Sequence, residues 1–164
     1  MIYLKRLRWV IPGDCGSHIT RIVRGSQHSS GYSMDKIYCD STTEIHGENY
    51  WVTSDKHTGE AFVAELETVH DVIGVKLRNT HNAHSKDRST KKFRVSIGNS
   101  ASGPWTELLT QGLVDSRNQN PPSLQQFKGG KAVMGRFVKF DMLEYWGLGG
   151  GLKYFDIIPA GSGV

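Results

Sequence analysis

Short segments in which apolar and polar residues alternate recur along this chain, and they constrain its fold more than any other feature. Residues 92–98 show the pattern most clearly. The apolar residues Phe93, Val95 and Ile97 alternate there with Lys92, Arg94 and Ser96. A period of two places apolar side chains on one face of a β-strand. The pattern therefore predicts a strand with one buried face and one solvent-facing face.

Six further segments predict strands by the same signs: residues 18–24, 61–66, 69–78, 105–109, 136–142 and 152–158. They recur at intervals of roughly 10 to 20 residues, with Gly, Pro, Asn and Ser between them. No helical periodicity extends beyond two turns, which disfavours an alternating βαβ core. We therefore expect an all-β fold, an antiparallel β-sandwich, in which residues 115–130 form an ordered surface loop.

Length and charge limit the remaining possibilities. The 164 residues, 37% of them hydrophobic, suit one closed core. The net charge of +4 permits acidic partners but does not indicate a nucleic-acid function. The large aromatic side chains expected in the core are Trp51, Phe93, Trp105, Phe137, Phe140 and Phe155.

Targeting signals and reactive motifs are sparse. Residues 1–12 mix charge into their apolar positions, so no signal peptide is visible, and the compartment stays open. The tail, residues 161–164, resembles a linker or a cut end, and if the parent protein is secreted an extracellular location is favoured.

Cys15 and Cys39 allow one disulfide, with two free buried thiols as the alternative.

Catalytic and metal-binding motifs are not found in the sequence. It contains no nucleophile elbow, no P-loop and no H-E-x-x-H. The seven histidines do not cluster along the chain, so we expect no transition-metal site. These observations predict that the protein is not an enzyme.

Six motifs follow one another in a fixed order: Trp51-Val52-Thr53, then residues 59–66, 72–77, 93–105, 136–140 and 151–157. Together they resemble the discoidin, or coagulation-factor type C, domain of the galactose-binding-like jelly-roll fold. The resemblance covers roughly residues 35–160. It implies a domain preceded by an extension, residues 1–34, whose first strand packs on it. It also implies a non-enzymatic binding module that uses loops at one end of the sandwich.

The resemblance raises the question of a structural calcium ion. Many members of the fold hold calcium with ligands from the loop before the tryptophan and from a glutamate on the last strand. Tyr154 stands at the position of that glutamate here, so the pattern is broken and we expect no cofactor. If calcium does bind, oxygen donors are available from Glu44, Glu48, Asn49 and Asp55.

Residues 79–88 lie between two predicted strands and are dense in side chains that both donate and accept hydrogen bonds. Sugar hydroxyls need such partners. Asn79 and Asp87 are expected to be structural, and the alternative is a loop held entirely by its own hydrogen bonds. The predicted ligand-binding residues are His81, Asn82, His84 and Arg88, of which His81, His84 or Arg88 should be exposed.

Two adjacent aromatic residues, Tyr145 and Trp146, precede a glycine-rich stretch in a predicted loop, residues 143–151. Such rings stack on the apolar face of a pyranose or insert into a membrane interface. The alternative places Trp146 as a lid on the core. We include both residues in the predicted binding site.

Three functions are compatible with this sequence. The first is recognition of a carbohydrate, as a glycan or a glycoprotein, through loops at the rim of the sandwich. The second is a protein-interaction or adhesion module of a larger assembly, without a small ligand. The third and weakest is peripheral binding to anionic membranes, with Lys86 and Arg88 on the headgroups.

Overall fold

Antiparallel strands make up most of the chain in the computed structural model, which describes residues 15–162. The expected N-terminal extension before residue 15, and residues 163–164 of the expected tail, lie outside the described residues. Seven strands are formed within that part: β1 (Ile19–Gly25), β2 (Trp51–Val52), β3 (Gly59–Asn79), β4 (Arg88–Gly98), β5 (Trp105–Gly112), β6 (Leu124–Gly147) and β7 (Gly151–Pro159). Three single-turn 3₁₀ helices occupy the loops: Ser30–Tyr32, Met34–Lys36 and Ala83–Ser85.

Two long strands, β3 and β6, run through both layers of the sandwich. The first part of β3, residues 59–66, pairs with β1 and with the second half of β6. Its second part, residues 72–79, pairs with β7 and with the first half of β6. The register shifts between Glu65 and His70, where the strand passes from one layer to the other. The predicted all-β sandwich is confirmed.

An aromatic cluster fills the space between the layers. Phe140 stacks on Phe62 and on Phe93, with ring centroids 5.1 and 5.2 Å apart. Phe155 and Trp51 meet the Phe62 ring edge-on, each at a centroid distance of 5.3 Å. All five side chains are completely buried. Such ring pairs add about 0.5–1.5 kcal/mol each beyond the area they bury.

Strand lengths and two aromatic positions differ from the prediction. The two segments predicted at 61–66 and 69–78 are one continuous strand, and residues 124–130 belong to β6 rather than to a surface loop. Residues 124–128 pair with β3, and the apolar side chains there are the exposed Leu124 and the partly buried Phe127, so the segment shows no apolar alternation. Trp105 and Phe137 were expected in the core and are only partly buried. The Trp105 ring instead packs beneath Lys139, whose Nζ lies 5.4 Å from the ring centroid.

No helix among residues 15–162 is long and apolar enough to cross a membrane.

A disulfide joins Cys15 to Cys39, with 5.6 Å between the two Cα atoms. The bond closes a loop with a sequence separation of 24 residues that contains all of β1. By limiting the conformations of the unfolded chain, a loop of this length contributes about 3 kcal/mol to the free energy of unfolding. The disulfide therefore ties the segment before β1 to the loop that follows Met34–Lys36.

We expect the double variant Cys15→Ser/Cys39→Ser to lose about 3 kcal/mol of unfolding free energy, measured by urea denaturation. Reductant should destabilise the wild-type protein by a similar amount and leave the double variant unchanged. Equal stability of the two proteins under oxidising conditions would contradict this role for the disulfide.

Candidate ligand-binding site

A cleft of about 790 Å³ opens at one end of the sandwich between three loop segments. Its walls come from residues 42–46, from the turn at residues 81–86 and from residues 118–121. Hydroxyl and amide side chains supply much of the lining: Thr42, Thr43, Asn118, Gln119 and Asn120. The volume lies within the range of about 300–1,000 Å³ that is usual for small-ligand sites.

Glu44 holds two of these walls together. Its side chain is almost completely buried, and its carboxylate accepts hydrogen bonds from the backbone N–H groups of His81 (3.3 Å) and Ala83 (2.8 Å). Each carboxylate oxygen thus accepts one backbone hydrogen bond, so the negative charge of Glu44 is stabilised by groups of the protein itself. Glu44 consequently shapes the cleft rather than offering a free acid to a ligand.

Asn82 is a structural residue of the turn. Its backbone adopts the left-handed conformation with φ of 60°, which asparagine tolerates better than most residues. The Tyr50 hydroxyl donates to Asn82 Oδ1 at 2.6 Å, and Asn82 Nδ2 donates to Asp87 Oδ1 at 2.6 Å. The side chain of Asn82 is thus committed on both sides, which differs from the direct ligand contact expected of it.

The two predicted histidines of the cleft differ in accessibility. His81 is buried, and its Nδ1 lies 3.6 Å from Glu44 Oε2 without a hydrogen-bond partner among the described residues. His84 is exposed, and its ring lies 4.8 Å from the ring of His46, tilted by 41°. The hydroxyl of Tyr32 lies within hydrogen-bond distance of His46 Nε2, at 3.2 Å. His46 and His84 therefore form an aromatic surface at the edge of the cleft.

Arg88 lies outside the cleft, contrary to expectation. It is the first residue of β4 and is buried, because its guanidinium donates to the backbone oxygen of Thr53 and to the carboxylate of Asp55. The hydrogen bond from Arg88 is the main reason that the pKa of Asp55 is lowered. The arginine ties the loop after β2 to β4 and has a structural role.

Tyr145 and Trp146 also lie outside the cleft. They belong to β6, where they pair with Thr90 and Ser89, and not to a loop. Lys91 Nζ lies 4.3 Å from the centroid of the Trp146 ring. Both aromatic side chains are partly buried. This arrangement does not fit insertion of the pair into a membrane, because strand pairing and a cation hold Trp146 on the sandwich.

The four candidate calcium ligands do not converge. Asp55 is paired with Arg88, Glu44 is bound to two amides, and Glu48 is exposed. Asn49 uses its side-chain oxygen to accept a hydrogen bond from the Ile45 N–H group.

A buried lysine places a positive charge beside the loop before Trp51. Lys153 on β7 donates from Nζ to the backbone oxygen of Asn49 at 2.9 Å. Burial lowers the pKa of Lys153, and the negative charges of Glu44 and Asp40 oppose that effect. The loop before Trp51 is therefore held by an ammonium group that is part of the chain.

Arg78, at the end of β3, connects the outer walls of the cleft. Its guanidinium makes a two-pronged contact with the Asp40 carboxylate, at 2.8 and 2.9 Å, and donates to the backbone oxygen of Pro122. Asp40 precedes the wall at residues 42–46, and Pro122 follows the wall at residues 118–121. Arg78 thus fixes the distance between two loops that are far apart in sequence.

Of the ligand-binding residues predicted from the sequence, His81 and His84 line the cleft, whereas its other two walls were not predicted. The segment at residues 116–120 (SRNQN) is as rich in donors and acceptors as residues 79–88, so the same signal could have identified it. His46 lies in the loop before Trp51, where the sequence suggests only oxygen donors for calcium. Its proximity to His84 depends on the tertiary fold and leaves no sequence pattern.

Comparisons with known proteins define the fold. No family model matches the sequence, and no curated protein matches it. A chitosan-binding module of a chitosanase/glucanase from Paenibacillus sp. IK-5 superposes with a TM-score of 0.64 at 14% identity, over 87% of this chain and 96% of that one. The module CpGH89CBM32-5 from Clostridium perfringens, in complex with GalNAc-β-1,3-galactose, gives 0.60 at 11% identity, over 81% and 90%.

A third similar structure is part of a complex with another protein. Reduced XRCC1 bound to the catalytic domain of DNA polymerase β gives a TM-score of 0.60 at 16% identity, over 87% of this chain and 97% of that chain. At these identities the likeness shows the fold alone. The chain has the galactose-binding-like jelly-roll fold shared with these carbohydrate-binding modules, which confirms the resemblance seen in the sequence motifs.

Asp40 gives a pH-dependent test of the Arg78 bridge. The hydrogen bond from Arg78 lowers the pKa of Asp40 below its ordinary value of 3.8, and partial burial opposes this shift. A carboxyl whose pKa is lower in the folded state stabilises the fold fully above its unfolded pKa, and this contribution is lost as pH falls through the folded pKa. We expect Asp40→Asn to be less stable than wild type by a constant amount above about pH 5.

Below pH 3.8 the stability gap between wild type and Asp40→Asn should narrow, as measured by urea denaturation at a series of pH values. Asp71→Asn is a suitable control, because Asp71 is exposed and forms no ion pair within residues 15–162. A gap that stays constant down to pH 2 would show that the bridge does not depend on the charge of Asp40.

Proposed function

We propose that this protein is a non-enzymatic module that binds a glycan in the cleft formed by residues 42–46, 81–86 and 118–121. The observation that carries the proposal is the combination of a cleft of about 790 Å³ with a lining of hydroxyl, amide and imidazole groups. Each hydroxyl of a sugar donates and accepts a hydrogen bond, and threonine, asparagine and glutamine can partner both functions.

The charge distribution of the cleft favours a neutral sugar. Glu44, which lines the cleft, has its carboxylate engaged by the backbone of the turn. Lys86 is exposed and contributes a single ammonium group to the lining. A ligand with several negative charges would meet little opposite charge here, whereas uncharged hydroxyls match the amide side chains.

His46 and His84 supply an aromatic contact surface next to the polar lining. Their rings lie 4.8 Å apart, and both side chains are exposed. The C–H face of a pyranose packs against such rings, while the hydroxyls at its edge remain available for hydrogen bonds. The buried His81 Nδ1, which has no partner among the described residues, adds an unsatisfied polar atom to the wall.

The fold and the disulfide support this proposal. Two of the similar structures are a chitosan-binding module and a module in complex with a disaccharide, and both have the same jelly-roll architecture. A disulfide between Cys15 and Cys39 is typical of oxidising compartments, where extracellular glycans and glycoproteins are found. Rim loops on a rigid sandwich suit recognition by shape and hydrogen bonding.

A glycan array followed by calorimetric titration of the best sugars tests the proposal. We expect His84→Ala to weaken binding of the selected sugar about tenfold or more, because it removes half of the aromatic surface. His57→Ala is the matched control, since His57 lies outside the cleft and contacts the backbone oxygen of Glu60. Absence of binding to every sugar at millimolar concentration, or unchanged binding by His84→Ala, would contradict the assignment.

A protein-interaction module is the second candidate, and the XRCC1 structure is the observation that favours it. That domain shares this fold and was solved in complex with a protein. A protein partner recognised through another face of the sandwich would bind wild type and His84→Ala equally and would not be displaced by free sugar.

A further inference from the structure

Two histidines and a glutamate meet where β1 begins and β3 bends: His18 lies next to Glu67 and His70, which are three residues apart. His18, Glu67 and His70 each offer a ligand atom, and these atoms lie within 4.8 Å of one another. We propose that this cluster binds a divalent transition-metal ion, with Zn²⁺ as the best match. The proposal is independent of the glycan cleft, because none of the three residues lines it.

The ligand chemistry selects zinc over calcium. Imidazole nitrogen and carboxylate oxygen are ordinary ligands of Zn²⁺, whereas Ca²⁺ takes only oxygen donors. Two histidines and one carboxylate leave a fourth tetrahedral position for water or an added ligand. At Zn–N distances of 2.0–2.1 Å the donor atoms of a tetrahedral site lie about 3.3 Å apart. His70 Nε2 and Glu67 Oε1 are 2.7 Å apart, and all three ligand atoms lie within 4.8 Å of one another, so small side-chain movements bring them to the tetrahedral spacing.

His18 is positioned as a metal-binding histidine usually is. Its Nδ1 makes a 2.9 Å hydrogen bond with Asp156 Oδ2, and Asp156 is completely buried. The other oxygen of Asp156 accepts the backbone N–H groups of His18 (3.1 Å) and Ile157 (2.9 Å). A carboxylate on Nδ1 fixes the ring and leaves Nε2 with its lone pair as the free ligand atom.

The backbone holds the same residues together. The Glu67 N–H donates to the carbonyl oxygen of His18 at 2.9 Å, which joins the start of β1 to the bend of β3. The rings of His18 and His70 meet edge-to-face with 5.2 Å between centroids. The Glu67 side chain is about half exposed, so it is free to rotate toward an ion. The site is therefore largely formed before the metal arrives, with one mobile carboxylate to complete it.

The test is titration of the full chain, without a histidine tag, by zinc chloride in the presence of a competing chromophoric chelator. We expect one Zn²⁺ per chain, and we expect Co²⁺ in its place to give the visible absorption of a tetrahedral site. Ca²⁺ and Mg²⁺ should not compete. His70→Ala and Glu67→Gln should each weaken zinc binding at least tenfold.

Two further variants test whether the bound zinc lies at this cluster. Asp156→Asn should weaken zinc binding by about 10–100-fold, because it removes the charge that orients His18. His57→Ala, the histidine control, should bind zinc as wild type does. Circular dichroism confirms that each variant is folded, and the exposed Glu67→Gln keeps the test valid if Asp156→Asn does not fold.

Three outcomes would overturn the proposal. The first is no zinc binding at total concentrations up to about 0.1 mM, where a site of this kind is expected to be occupied. The second is wild-type affinity in both His70→Ala and Glu67→Gln. The third is loss of binding in His84→Ala alone, which would place the metal on the His46–His84 pair in the cleft.

Discussion

The stack of Phe62, Phe140 and Phe93 is the interaction on which the rest of the molecule depends. These rings come from β3, β6 and β4, and Phe155 meets them from β7 across the sandwich. Because β3 and β6 each continue from one layer into the other, the same stack fixes both layers at once. The loops at the end of the sandwich can therefore be polar and irregular without loss of the fold.

Charged side chains, rather than apolar ones, shape the candidate site. Arg78 bridges Asp40 and Pro122, and Glu44 accepts two amides of the turn. Buried charges are costly unless they are paired or hydrogen-bonded. The charged groups of Arg78 and Glu44 are hydrogen-bonded. Hydrogen bonds and ion pairs depend on distance and angle, so these contacts hold each loop in one position. Short polar loops have too few apolar side chains to be held by packing.

The parts of the fold that could be predicted from sequence are those in which burial alternates along the strand. Phe93, Val95 and Ile97 show this alternation, and their strand is in place. Residues 124–128 do not, because Phe127 is their one partly buried apolar residue, and backbone pairing to β3 keeps the segment extended. The site was less predictable for a related reason. Arg88 is bound to Asp55, whereas His84 is exposed beside His46. Each of these neighbours is distant in sequence, so the residues around Arg88 and His84 do not reveal it.

Lys153 has a consequence for how the rim of the sandwich responds to its surroundings. A dissolved ion holds a loop only when its concentration exceeds the dissociation constant, so a loop built around such an ion changes shape with the ionic composition of the medium. The ammonium group beside Asn49 is attached to β7 and has a fixed local concentration. The contact that holds the loop before Trp51 to β7 is thus intramolecular and does not dissociate when the protein is diluted.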